Sequence, residues 1–337
     1  MRYLAETLLL MSLATACGPK RAVVSPLPAM EGAGLSGHYS VQIEDRLYIA
    51  GGCNFPDKPL TEGGTKRFYD DILVFDGSGR FRSGTLKLPR PSAYGACIPV
   101  EGGMMIAGGA DSTGTLDNVW IVRADSVETL SALPFPLEQA AWCKDDRGTV
   151  YLGGGLSGGR PSKDVLRLGG DGRWEKVSAL PAALVQGIAT FERGSLCFWG
   201  GYDPEARKAV CGGYSLRLSD LSWSTLEAPV TFVGSASLDG YAVGGCDADV
   251  FTRAVNLPPE KVREYQLQPR EYYRFRGQLL HRNADCEGGW EVVAEDADRL
   301  AKAGSSLARF RNGFAVSGGE LKPGVRSPEV SFISEKR

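Results

Sequence analysis

Hydrophobic residues along this chain come in short runs that end on paired glycines. Leu47-Tyr48-Ile49-Ala50 closes on Gly51-Gly52, Met105-Ile106-Ala107 on Gly108-Gly109, and Tyr151-Leu152 on Gly153-Gly154. Cys197-Phe198-Trp199 closes on Gly200-Gly201, Tyr241-Ala242-Val243 on Gly244-Gly245, and Phe314-Ala315-Val316-Ser317 on Gly318-Gly319. Runs this short, bounded by turn residues and rich in aromatic and branched side chains, read as β-strands. Most diads are followed by a second strand, as in 72–75, 119–122 and 165–168. A further strand then carries an aromatic residue toward a proline, as from Trp174 to Leu180-Pro181 or from Trp223 to Ala228-Pro229.

The first glycines of the six diads are separated by 57, 45, 47, 44 and 74 residues. Four short strands and a glycine diad per ~45 residues is the kelch form of a propeller blade. One four-stranded sheet cannot bury both its faces, so such units stack around an axis. The pattern therefore predicts an all-β fold, a six-bladed kelch-type β-propeller. Residues 22–28 read as the last strand of a blade, while the chain stops after Glu329-Val330-Ser331-Phe332-Ile333, one strand short. The N-terminal strand is expected to complete blade six and close the ring, so that no sheet edge is left open.

Two intervals are expanded, and long connections in a compact fold tend to carry function. Residues 246–276 form an insertion in blade five. Its Pro258-Pro259-Glu260-Lys261 and Pro269-Arg270-Glu271 segments suit short helices. In blade one a long loop runs from Cys53 to Phe68. Both follow a diad, so both leave the same end of the propeller, on either side of blade six. Blade six itself carries Glu320-Leu321-Lys322-Pro323-Gly324-Val325-Arg326. Pro-Gly favours a tight turn with glycine at positive φ. That turn would set Leu321 opposite Arg326 and Glu320 beside Ser327, bringing Glu320 and Arg326 together at the mouth of the ring.

Composition narrows the chemistry. The 337 residues hold 38 Lys and Arg, 40 Asp and Glu and two histidines, with 43% hydrophobic and 23% charged residues. The net charge of −2 gives no field for nucleic acid or an anionic membrane. The 44 glycines and 19 prolines are spread along the chain, as many short strands and turns require. With only His38 and His281, a multi-histidine metal site is excluded, and neither metal nor cofactor is implied. Residues 1–16, with a basic residue, a short apolar stretch and Ala14-Thr15-Ala16, read as a secretory signal peptide. Cys17 resembles the lipidated cysteine of a bacterial lipoprotein. The expected location is the periplasm or the outer membrane, with membrane contact only through that lipid. The other seven cysteines are odd in number and lack CxxC spacing. Cys97, Cys143 and Cys197 lie in apolar runs, as small buried hydrophobes do.

Gly51-Gly52-Cys53-Asn54-Phe55-Pro56, Glu62-Gly63 and Lys66 before Tyr69 resemble the N-acetylneuraminate epimerase (sialic acid mutarotase) family, in its cyclically permuted branch. Ala93-Tyr94-Gly95, the blade-six phrase from Gly319 to Arg326, and Val250-Phe251 with Glu271-Tyr272-Tyr273-x-Phe275 extend the likeness over the mature chain. The resemblance implies an isomerase that interconverts the α and β anomers of N-acetylneuraminic acid, a small sugar acid, with Glu320 and Arg326 as the residues of its activity. Ser92 stands where the unpermuted members carry arginine, and Arg90 lies two residues away.

Anomer exchange opens a cyclic hemiketal and closes it on the other face. It needs a base for the anomeric hydroxyl and an acid for the ring oxygen, worth about 10²- to 10⁴-fold. A guanidinium matches the carboxylate on the anomeric carbon, which suits Arg326 and leaves proton transfer to Glu320. Tyr69, Tyr94, Lys66 or a water could serve as the acid. Asn54, Phe55, Glu62, Lys66, Tyr69 and Tyr94 are candidates for holding the substrate. So are Gln139 and Gln186, which stand at the start of blades three and four as Tyr94 does in blade two. Asn54 could equally form an Asx-turn, Glu62 and Lys66 an exposed ion pair, and His38 a hydrogen bond within the scaffold. The alternative function is a non-catalytic propeller binding glycans or a protein partner at the cell envelope. The Ser-x-Asp-x-Gly-x-Thr-Trp boxes of sialidases are missing, and the two histidines fall in different blades, against a copper oxidase.

Overall fold

A computed structural model describes residues 22–283 and 289–334. The segment 1–16 expected to be a signal peptide, Cys17 and Cys286 lie outside the described residues. Six four-stranded antiparallel sheets are arranged around an axis, each formed by strands that follow one another in the chain. Blade one, for example, comprises Tyr39–Ile43, Arg46–Ala50, Asp71–Phe75 and Arg82–Lys87. Blade six is the exception. Its first three strands are Ser306–Phe310, Gly313–Ser317 and Val330–Ser334, and its outer strand is Val23–Leu27, in register from Val23 opposite Ser334 to Leu27 opposite Val330. Both ends of the described chain thus meet in one sheet.

The core is divided into six wedges, one at each blade interface. Tyr39, Val41 and Ile72 of blade one meet Met104, Ile106 and Trp120 of blade two. The ring closes through Leu47, Ile49 and Phe75 of blade one against Ala308, Phe310 and Val330 of blade six. The diads sit where the wedges are narrowest. Gly108 has φ +69°, and a Cβ there would lie 2.0 Å from the carbonyl oxygen of Leu137 in the next blade. Left-handed backbone and this close approach both require glycine. The second glycine then donates its N–H across the interface, Gly109 to Leu137 O at 2.8 Å and Gly52 to Ser92 O at 2.8 Å. In blade three the pair in this conformation is Gly154-Gly155, while Gly153 belongs to the strand Val150–Gly153, so the sequence pattern placed that diad one residue early.

A second ring lies inside the first. The residue just before each inner strand has left-handed φ: Gly37, Tyr94, Gln139, Gln186, Gly234 and Gly304, between +57° and +69°. The N–H of each donates to the carbonyl of the one before, from Tyr94 to Gly37 at 2.8 Å round to Gly37 donating to Gly304 at 2.9 Å. Six main-chain hydrogen bonds therefore close on themselves around the axis and form the floor of one mouth.

Candidate active site

Above that floor, five blades raise a two-stranded hairpin after the diad. In blade five the place of the hairpin is taken by α1 (Ala248–Val255), α2 (Pro259–Gln266) and a 3-10 turn at Arg270–Tyr273. Asp247 caps α1 by accepting from the N–H groups of Asp249 and Val250. The helix docks on the blade-four hairpin, where Phe251 meets the Tyr202 ring edge-on at 5.4 Å and Thr252 Oγ1 accepts from Ala209 N at 3.0 Å. Behind it, half-buried Arg276 donates to Thr231 O, Ser235 Oγ and Gly244 O, tying the end of the insertion to the propeller.

The cavity between these elements, open to solvent at the mouth, has a volume of about 980 Å³. Phe55, Leu60 and Phe68 from the blade-one loop stand on one side and Phe251, Tyr265 and Phe275 from the insertion on the other. Between them lies the blade-six hairpin. Its strands pair Glu320 with Arg326 and Lys322 with Val325, and Leu321 is the extra residue of a bulge. This corrects the register expected from the turn, which set Leu321 opposite Arg326. The bulge brings the two charged side chains directly together instead of offsetting them.

Arg326 Nη1 donates to Glu320 Oε1, and the same oxygen accepts from Gly324 N at 2.8 Å, so the turn itself orients the carboxylate. Gly324, at φ +81°, lies under Leu60, whose Cβ would be 2.5 Å from a Cβ added there. The Arg326 side chain is 4% exposed and stacks on the Phe55 ring at 5.2 Å. Among the described residues its Nε has no hydrogen-bond partner. Burial opposes the charge, but Glu320 and then Tyr94 outweigh it and raise the arginine above its ordinary value.

Tyr94 Oη lies 2.9 Å from Cys53 Sγ and receives a hydrogen bond from Lys66 Nζ at 3.5 Å. Lys66 also stands over the Tyr94 ring at 5.2 Å. Burial, with Cys53 beside it, holds the phenol protonated well above its ordinary value, although Arg326 pulls the other way. On the far side Gln186 Nε2 donates to Gln139 Oε1 at 2.9 Å and Gln139 Nε2 to Glu138 Oε2 at 3.3 Å, while Thr115 Oγ1 donates to Glu138 Oε1.

The structure thus gathers Phe55, Lys66, Tyr94, Gln139, Gln186, Glu320 and Arg326 around one cavity. Asn54, Tyr69 and Glu62 are placed elsewhere. Buried Asn54 donates to Gly34 O and accepts from Tyr69 Oη at 2.7 Å, so both ends of its amide serve the loop. Glu62 is exposed in a short 3-10 turn, and among the described residues no ion pair joins it to Lys66. Ser92 is buried with Oγ 2.8 Å from Tyr39 Oη, and Arg90 is engaged by Asp111 and Thr113, so neither supplies a second guanidinium to the cavity. Sequence reasoning missed Glu138, Phe251 and Tyr265 as wall residues. Glu138 had a signal in its place immediately before Gln139, and Phe251 in the Val250-Phe251 pair of the family likeness.

No family model matches the chain. Among curated proteins it is 28% identical over 236 residues to an N-acetylneuraminate epimerase of Salmonella arizonae, covering 63% of this chain and 60% of that one. It is 35% identical over 104 residues to an N-acetylneuraminate epimerase of Brucella melitensis biotype 1, covering 27% and 26%. The chain resembles the N-acetylneuraminate epimerases. It spans 60% of the length of the first relative, and a shorter part of the second. Among solved structures, that of YjhT superposes with a TM-score of 0.63 over 93% of this chain and 98% of the other, at 14% identity. At that identity the likeness is one of fold.

Proposed function

We propose that this protein is a mutarotase that interconverts the α and β anomers of N-acetylneuraminic acid. The observation that carries the reading is the buried Arg326 guanidinium paired with Glu320 on the wall of a cavity large enough for a monosaccharide. The epimerase relatives supply the substrate. Arg326 holds the sugar carboxylate, a planar fork meeting a planar acceptor. Glu320, oriented by Arg326 and Gly324 N, takes the proton of the anomeric hydroxyl. The bond from the anomeric carbon to the ring oxygen breaks, and that oxygen receives a proton as the ketone forms. Closure on the other face returns both protons, so nothing is consumed.

Of the candidates for the acid, Tyr94 fits best. Its hydroxyl lies against Arg326 and keeps its proton at neutral pH. A leaving alkoxide is a stronger base than a phenolate, so the proton moves downhill only as the bond breaks. Tyr69 is turned to Asn54.

Proton NMR of the α anomer, freshly released by a sialidase, tests this. The protein should speed the appearance of the β anomer. Glu320→Gln, which keeps an acceptor for Gly324 N, should lower the rate about 10²- to 10⁴-fold. Arg326→Ala should chiefly raise KM, by about 10- to 100-fold for a lost charge-assisted contact. An unchanged rate with folded wild-type protein would refute the activity on this sugar and favour glycan binding.

A further inference from the structure

The floor ring is chemically lopsided. Blades five, six and one place glycine at the left-handed position, whereas blades two, three and four place Tyr94, Gln139 and Gln186 at the same backbone angles. Glycine suits this conformation best, and the six closing hydrogen bonds are main-chain, so the scaffold asks for no side chain there. Three residues nevertheless hold strained backbone and point side chains into the cavity. Strain kept where an unstrained residue would serve is a mark of function.

Tyr94 is accounted for by its contacts with Arg326, Lys66 and Cys53. The two amides are not. Gln139 lies directly across the ring from Gly304, the residue of blade six, because three hydrogen-bonded steps separate them in either direction. The amides therefore face the Arg326 hairpin across the axis. Each has one N–H committed to its neighbour, Gln186 to Gln139 and Gln139 to Glu138, and keeps a second. Gln186 Oε1 receives no hydrogen bond among the described residues. A surface offering amide N–H, amide oxygen and the Glu138 carboxylate together suits hydroxyl groups, which both donate and accept. It repels a carboxylate. The cavity thus has a cationic end for an acid and an acceptor-rich end for neutral alcohols.

We infer that Gln139 and Gln186 are specificity-determining residues that grip the hydroxylated three-carbon tail of the sugar acid while Arg326 holds its carboxylate. This rests on the mutarotase reading and adds the orientation of the substrate: anomeric carbon at the blade-six hairpin, tail over blades three and four. Sugar acids that lack the tail hydroxyls would lose the second grip.

The test compares N-acetylneuraminic acid with its seven-carbon analogue, which keeps the carboxylate, ring and N-acetyl group but lacks carbons 8 and 9. Gln139→Gly and Gln186→Gly should each lower kcat/KM for the full sugar about 3- to 10-fold, the value of one neutral hydrogen bond. Turnover of the analogue should stay within about twofold of wild type. Both variants relieve the strained backbone, so their melting temperatures should hold or rise, a result that a structural role would reverse. Equal losses on both sugars, or falling stability with no change in selectivity, would overturn the inference. Calorimetric titration of wild type with each sugar reads the same contact without turnover. Tighter binding of the full sugar that Gln186→Gly abolishes would uphold the grip even if no anomer exchange were seen, whereas equal affinities, or no binding of either sugar, would overturn it.

Discussion

At the scale of single residues, this propeller uses conformations and charges that only particular side chains tolerate. Gly108→Ala would force a Cβ against Leu137 O at φ +69°, with no flexible neighbour to yield. Urea unfolding should show a loss of at least about 2 kcal/mol, within the range for such strain. His38 gives a pH prediction. It is buried with Nε2 2.7 Å from Ser317 Oγ, and burial lowers its pKa from 6.5 to about 4. Between those values the unfolded chain takes a proton that the folded one refuses. Its contribution is therefore complete above pH 6.5 and lost as pH falls to about 4, a change of about 3 kcal/mol. Unfolding curves at pH 7 and pH 4.5 should separate wild type from His38→Gln, whose loss should be smaller; parallel losses would refute the assignment. Residue identity let the sequence name Glu320 and Arg326, because Pro323-Gly324 announces a turn. It brought them together but did not give their register, since a one-residue bulge at Leu321 leaves no local signature.

At the scale of elements, the blade-six hairpin is held from both sides. Leu60 of the blade-one loop covers Gly324, and Lys322 Nζ donates to Gln268 O of the insertion at 3.0 Å. Gly324→Ala would strain the turn, push Leu60 away and shift the N–H that orients Glu320. Turnover in the NMR assay should fall about 10²-fold, as a displacement of about 1 Å can cause, with binding of the sugar retained. Full activity in that variant would show that the turn does not position the carboxylate. In the insertion, α2 and the 3-10 turn were legible from Pro258-Pro259 and Pro269, but α1 was not, nor was its docking on Tyr202 and Ala209, because those contacts join segments about 45 residues apart. The same limit hid Asn54. Its sequence neighbourhood suggests a binding loop, yet its partners Gly34 and Tyr69 absorb both ends of the amide.

At the scale of the whole molecule, the repeat made the architecture readable: six diads stand for six blades, and the six apolar wedges follow from stacking them. The inner ring was half visible. Tyr94, Gln139 and Gln186 could be aligned as equivalents, while Gly37, Gly234 and Gly304 carry no side chain to mark their place in the ring. Deleting residues 22–28 would strip the outer strand from blade six and expose the edge Val330–Ser334. The expected result is a broadened, lower-temperature unfolding transition by calorimetry and self-association by light scattering, since unpaired edges recruit other chains; a monomer with an unchanged transition would refute it. The floor ring has a wider consequence. Because its hydrogen bonds run through main-chain atoms alone, the positions of Tyr94, Gln139 and Gln186 act as interchangeable sockets, whereas a Cβ at Gly37 would meet the Tyr94 ring at 2.5 Å. A single codon change can add, remove or swap a group facing the ligand while the barrel that bears it stays the same, so a lineage of such proteins could drift from one sugar to another without rebuilding its frame.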